Sequence, residues 1–225
     1  MSQEELKKRV GIESVKYIED GMVVGLGTGS TAKHMVDEVA RRIKEEGLQI
    51  TAVTTSTQTQ LQAESLNIPL KKLDEVDGID VVIDGADEIS AEFDGIKGGG
   101  AALLFEKIVA NYARKIIWVV DESKMVDKLG KFPLPIEVIP FGSQNLYHRF
   151  ESFGWNPRFR MNGVDKLVTD GGHHIIDLHL SRIENPQELA ATLNNMVGVV
   201  EHGIFEQMVD IVLVGAEDGV KTLTV

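Results

Sequence analysis

The sequence predicts an α/β fold, a parallel sheet layered with helices and interrupted by a smaller α+β unit. Three observations carry that expectation. Short β-branched runs alternate with amphipathic helical stretches through the first half, as in MVVGLGTGS, QITAVTT, IDVVIDGADE and KIIWVVD. Such alternation implies right-handed crossovers and a parallel sheet. A glycine-rich turn, GTGST, follows directly on the first of these runs, and a second, KGGG, lies between the third and fourth. The rhythm then changes at GKFPLPIEVIPFGS, where three prolines break the chain.

Each element can be justified in order. Leu6, Val10, Ile12, Val15 and Ile18 recur at helical spacing, which predicts an amphipathic helix over residues 3–19. A buried strand, MVVG, then runs into a glycine turn. Met35, Val36, Val39 and Ile43 share one face of a helix from Ser30 to Glu46. A second strand precedes a helix over Thr57–Leu66, and a third strand ends at the DGADE segment. The KGGG turn leads into a helix expected from about Ala101 to Ala113, and KIIWVVD is the fourth strand. Beyond the prolines the order is strand (136–139), helix (144–153), strand (155–160), a hairpin turning at TDGGHH, helix (from Pro186) and strand VGVVEHG. That is close to β-α-β-β-α-β, the ferredoxin-like arrangement. DIVLVGAEDGVKTL adds a core strand and a C-terminal hairpin. The expected layout is a Rossmann-like domain over 1–130 plus 205–225, with a ferredoxin-like α+β domain at 131–204.

Charge and composition narrow the function. The net charge of −12 repels nucleic acid and anionic membranes at long range, so neither is an expected partner. It also repels a phosphorylated metabolite, so a phosphate site here must be local, built from backbone N–H groups and a few lysines. The absence of cysteine excludes disulfides and thiolate-bound metal. Apolar runs such as IIWVV are too short to cross a bilayer. The charged start MSQEELKKRV has no signal-peptide character. A soluble cytoplasmic protein is expected.

Three segments carry candidate chemistry. GLGTGST, residues 25–31, joins a strand to a helix, where glycines let backbone approach an anion and Ser30 and Thr31 add hydroxyls beside a helix N-terminus. Serine at position 30 breaks the dinucleotide fingerprint, and no P-loop pattern is present. The alternative is a tight strand-to-helix turn. In DGADE, Asp84 ends a strand on the same edge, and Asp87 lies three residues on. Either acid could bind sugar hydroxyls, or form an Asx turn or N-cap. In KGGGAALLFEK, Lys97 precedes three glycines, and Glu106 falls about two helical turns after Gly98 among Leu103, Leu104 and Phe105. Desolvation there would raise the pKa of Glu106 and Lys97 would lower it, leaving a carboxylate able to move protons near neutral pH.

Taken together and in this order, ELKK, GTGST, DGADE, KGGGAAL…EK, DESK, LGKFPLPIEVIP and the closing GVKT resemble type A ribose-5-phosphate isomerases over nearly the whole chain. The resemblance implies an aldose–ketose isomerase acting on ribose 5-phosphate and ribulose 5-phosphate in the non-oxidative pentose phosphate route. It implies Glu106 as the proton-transferring residue, with Lys97, Asp84 and Asp87 assisting. Substrate contacts carry over to Thr28, Gly29, Ser30, Thr31, the stretch Asp84, Gly85, Ala86 and Asp87, Lys97 with Gly98, Gly99 and Gly100, and Lys124; Lys7 matches a further lysine near the phosphate. Phe105 departs from a basic residue found there in many members. No cofactor or metal is implied, because no net redox occurs, and a homodimer or homotetramer is expected.

Two other functions fit the same fold. A non-catalytic sugar-phosphate sensor would keep GTGST and DGAD but need no base, and would usually carry a DNA-binding segment. An acyl-CoA transferase would use a glutamate as covalent nucleophile. His173, Asp177 and His179 share a face at period two and raise a metal alternative, set against a plain hairpin with solvent-facing histidines. Trp118 and Trp155 read as core, and RRIKEE as a solvated helix face.

Overall fold

The computed structural model describes residues 1–225. In chain order it begins with α1 (Gln3–Ser14), β1 (Val23–Leu26), α2 (Ser30–Glu46), β2 (Thr51–Thr54), α3 (Thr57–Ser65) and β3 (Val81–Asp84). Two short strands, β4 (Glu88–Ile89) and β5 (Gly95–Ile96), precede α4 (Leu103–Asn111) and β6 (Ile116–Asp121). Next come β7 (Leu134–Val138), α5 (Ser143–Ser152), β8 (Pro157–Phe159), β9 (Met161–Asn162), β10 (Asp165–Lys166) and β11 (His174–Leu178). The chain closes with α6 (Pro186–Asn194), β12 (Val199–His202), β13 (Ile204–Phe205), β14 (Ile211–Ala216) and β15 (Gly219–Thr224).

These elements form two compact units. The first comprises Met1–Ala86, Phe105–Lys124 and Met208–Val225; the second comprises Asp87–Leu104 and Met125–Gln207. This division differs from the 1–130, 131–204 and 205–225 scheme read from the proline break. The physical reason is the pairing of β4 and β5 with β13 in a three-stranded sheet, which ties residues 87–104 to the second unit.

In the first unit, β2, β1, β3, β6 and β14 lie parallel in that spatial order, and β15 closes the edge antiparallel to β14. Strands buried on both faces need apolar residues throughout, and every residue of IIWVVD in β6 is buried. One face packs against α1 and α2 through Val10, Met35, Val36 and Val39 over Leu26, Ile83 and Val119. The other face receives α4 at Gly25, where an added Cβ would lie 2.7 Å from Val82 and 3.0 Å from Val109. The start of α1 is set by a capping box between Ser2 and Glu5. RRIKEE is only partly the solvated face expected of it: Arg41 pairs with Glu38, Glu45 and Glu46, but Arg42 turns inward and donates to the carbonyls of Val15 and Ile18.

Strand order reverses between β1 and β3, since β1 leads outward to β2 and β3 begins the run to β14. Ligands of open α/β sheets bind beyond the carboxyl ends of the strands at such a reversal. It lies at the GTGST turn and Asp84.

The second unit carries an antiparallel sheet in the order β12-β7-β11-β8, with one face covered by α5 and α6. Leu146, Phe150, Ala190 and Leu193 pack on Leu134, Ile136, Val138, Ile176 and Leu178. This is the expected ferredoxin-like arrangement, with a small ribbon, β9 and β10, added before β11.

Candidate active site

In the first unit the candidate residues gather along the carboxyl edge of the sheet. Gly27 leaves β1, and an added Cβ there would stand 2.2 Å from Asp84 Oδ1 and 2.5 Å from the Asp84 Cα. That space lets Asp84, itself buried, accept hydrogen bonds at Oδ1 from the N–H of Thr28 at 2.9 Å and of Gly85 at 2.8 Å. The Thr28 hydroxyl turns into a buried cluster with Thr55, Ser56 and Thr59, at 2.7, 2.8 and 3.2 Å. Both polar hydrogens of Thr28 are therefore committed within the fold. Gly29 has a φ of +117°, a conformation that favours glycine, and caps α2 without a side-chain bond. The first amides of α2, at Ser30 and Thr31, thus begin a helix whose partial positive charge is not offset by a capping side chain.

Two lysines border the same edge. Lys124 closes a 3-10 turn after β6 that Asp121 fixes, accepting from the Ser123 N–H at 3.1 Å. Asp121 also accepts from the Gln3 side chain at 3.3 Å, which holds the first turn of α1 at that end of β6. Lys7 lies one turn further along α1 and pairs with Glu4 at 2.9 Å. The ammonium of Lys7 holds the Glu4 carboxyl below the usual carboxylate range. Glu106 sits in the first turn of α4 and is 4 % exposed. Helices of parallel crossovers run against their strands, so this turn belongs to the carboxyl end of the sheet.

The expected helix start near Ala101 is corrected. Ala101 adopts a left-handed φ of +61° and its N–H closes a turn on the Gly98 carbonyl at 3.0 Å, so α4 starts only at Leu103. Glu106 is consequently a first-turn residue of α4.

In the second unit, Asp87 and the glycine turn are held together. The Asp87 N–H donates to the Ile96 carbonyl at 2.8 Å, and Asp87 Oδ2 accepts from the Gly99 N–H at 2.7 Å. An added Cβ on Gly99 would stand 2.5 Å from Asp87 Oδ1. Gly98 has a φ of +106° and faces Leu103 and Pro135 too closely for any Cβ. Lys97 is 2 % exposed; its N–H donates to the Gly203 carbonyl at 2.9 Å and its ammonium lies 5.4 Å from the Phe205 ring centre.

Several neighbours of the candidate residues escape sequence reasoning. Thr55, Ser56 and Thr59 anchor Thr28, and the run TTSTQT after β2 was their only signal. Glu88, the last residue of DGADE, is buried and accepts from the N–H groups of Gly130 at 2.7 Å and Phe132 at 2.6 Å. It joins two segments that look unrelated in sequence. Two of the histidines and Asp177 take partners within the fold. His173 meets Glu137 at 3.0 Å, His174 meets the Leu167 carbonyl at 3.1 Å, and Asp177 is taken by Arg160.

Comparison with known proteins finds relatives along nearly the whole chain. The family model of ribose 5-phosphate isomerase A (phosphoriboisomerase A) matches residues 51–219. A ribose-5-phosphate isomerase A of Enterococcus faecalis is 65% identical over 221 residues, covering 98% of each chain. A solved D-ribose-5-phosphate isomerase in complex with phospho-erythronic acid superposes with a TM-score of 0.97 at 43% identity, covering 100% of both chains. The ribose 5-phosphate isomerase A of Methanocaldococcus jannaschii gives a TM-score of 0.94, also at 43% identity and full coverage. With a matching family model and a close relative along nearly its whole length, the chain belongs to the ribose 5-phosphate isomerase A family.

Proposed function

We propose that this chain interconverts D-ribose 5-phosphate and D-ribulose 5-phosphate through an enediolate, with Glu106 as the base. The observation that carries this is a buried carboxylate in the first turn of α4, in a chain whose relatives are isomerases of this substrate. The bound molecule of the 43% identical neighbour supports the chemistry. Phospho-erythronic acid joins a phosphate to a planar, charged carboxylate beside a hydroxyl-bearing carbon, much as an enediolate would. Nothing in these relatives supports the non-catalytic sensor.

The steps follow from the residues. With the sugar ring open, Glu106 takes the proton from C2, and negative charge spreads over the oxygens of C1 and C2. The Lys97 ammonium and main-chain N–H groups of the KGGG turn offset that charge, a contribution of several kcal/mol where water is excluded. Glu106 then returns the proton to C1 while the O2 hydroxyl proton passes to O1, so aldehyde becomes alcohol and alcohol becomes ketone. Asp84 and Asp87 orient the hydroxyls for ring opening, each also holding its glycine turn. The amides of Ser30 and Thr31, with Lys124 and Lys7, receive the phosphate. This local cluster of donors overcomes the repulsion of a chain with a net charge of −12. No helix is long and apolar enough to cross a membrane, which is compatible with a cytoplasmic enzyme, and a homodimer or homotetramer remains our proposal for its assembly.

The test is turnover of ribose 5-phosphate by Glu106→Gln in a coupled assay containing EDTA. The variant should fold and lose roughly 10² to 10⁴ in kcat. Near-normal turnover would remove Glu106 from the mechanism, and loss of wild-type activity in EDTA would reveal a metal requirement.

A further inference from the structure

Arg160 lies just past β8, outside the motifs that carry the family resemblance in the sequence, yet its guanidinium makes four hydrogen bonds. Nε donates to Asp177 Oδ2 at 2.9 Å and Nη2 donates to Asp177 Oδ1 at 2.6 Å, a two-point fork. Nη1 donates to the Gly98 carbonyl at 2.6 Å and to the Gly99 carbonyl at 3.2 Å. Arg160 and Asp177 are each 16% exposed, and Asp177 is fixed on a central strand of the sheet of β7, β8, β11 and β12. All four partners belong to the second unit.

The consequence concerns peptide planes. In a trans peptide the C=O and the following N–H point in opposite directions. The Gly98–Gly99 peptide is therefore gripped on both sides, its carbonyl by Arg160 and its N–H by Asp87. The next carbonyl, of Gly99, also faces Arg160, so the Gly100 N–H in the same plane is turned the other way. A glycine turn left alone would sample many such orientations. The guanidinium carries no net charge to the turn, because Asp177 neutralises it at contact distance. Its planar fork is what the task needs, since a lysine could not bind a carboxylate at two points and two carbonyls at once.

We propose that Arg160, braced by Asp177, is a positioning residue that sets the Gly98–Gly100 turn so that the Gly100 N–H faces a substrate oxygen. This rests on the assignment of that turn to the substrate, so the experiment separates the two. Steady-state kinetics with ribose 5-phosphate are measured for Arg160→Ala, Arg160→Lys and Gly99→Ala, with thermal unfolding of each. Gly99→Ala disturbs the turn directly and should raise KM about tenfold, the scale of one lost donor. Arg160→Ala should raise KM by a similar factor with kcat within about threefold, and Arg160→Lys should fall between it and the wild type. If Gly99→Ala raises KM but Arg160→Ala does not, the inference fails and the turn assignment stands. If Gly99→Ala leaves KM unchanged, the turn assignment fails and the inference with it. Should Arg160→Ala not fold, Arg160→Lys decides, and a wild-type KM there overturns the proposal. A fall in kcat at constant KM, in either Arg160 variant, would mark a merely structural role and also overturn it.

Discussion

The two glycine turns look alike in sequence and are held in different ways. In GTGST, Gly27 makes room for Asp84, and both the carboxylate and the backbone of that residue press on it. In KGGG, Gly99 makes room for Asp87, but only side-chain atoms crowd it, and Arg160 steadies the carbonyls from outside the motif. The first turn is thus locked by buried main chain at the carboxyl edge of a parallel sheet. The second is an exposed loop braced by side chains. In both, a glycine that sequence reasoning assigned to an approaching substrate first accommodates the aspartate of its own unit. Under the function proposed above, the phosphate would instead meet Gly29, whose positive φ opens α2, and the amides that follow.

That contrast can be broken by experiment. The largest effect is expected at Gly27→Ala. The new methyl group would meet the Asp84 backbone, so the variant should lose about 3 kcal/mol of stability by urea unfolding. Gly99→Ala should lose under about 1 kcal/mol, because the Asp87 side chain can swing aside. Equal losses would erase the distinction between a locked and a braced turn.

A second pair of residues sharpens it. Lys124 makes no ion pair, whereas Lys97 is buried beside Phe205. Lys124→Ala should therefore raise KM roughly tenfold, about 1.4 kcal/mol of binding, with unfolding unchanged. An unchanged KM would refute its place at the phosphate. Lys97→Ala should cost stability as well as activity, since it empties a packed position.

The smallest effect is one of slope. Asp94, between β4 and β5, has its carboxyl pushed above the usual 3.8 by burial, against the Gln207 N–H that it accepts at 3.1 Å. Because the folded state holds this proton longer than the unfolded chain, the associated stability is present at low pH. It is lost as pH rises through the raised value. Asp94→Asn should flatten that decline, so its advantage over the wild type should be greater at pH 7 than at pH 3. A larger advantage at pH 3 would reverse the sign.

Much of this was legible in the chain itself. The strands are apolar because both faces are buried, so VVGL, VVID and IIWVVD announced a parallel sheet and the edge where Asp84 would stand. The helical periodicity beyond Pro186 and the turn at TDGGHH likewise gave the ferredoxin-like unit. What escaped had no periodicity to read. β4 and β5 are two residues each, too short for alternation to register, so the link of Glu88 to Gly130 and Phe132 stayed hidden. The start of α4 was misplaced because a left-handed alanine obeys tertiary contacts, not propensity. Arg160 was invisible for a similar reason: its partners lie 17 and 62 positions away.

Proton transfer through Glu106 is the claim on which the function depends, and isotope exchange probes it without a coupling enzyme. Wild type and Glu106→Gln would be incubated with ribose 5-phosphate in deuterium oxide, and label at C1 of the ketose and C2 of the aldose followed by NMR. Wild type should incorporate deuterium at both carbons, and the folded variant should do so at least roughly 10²-fold more slowly. Exchange by the variant at the wild-type rate would show that some other group carries the proton.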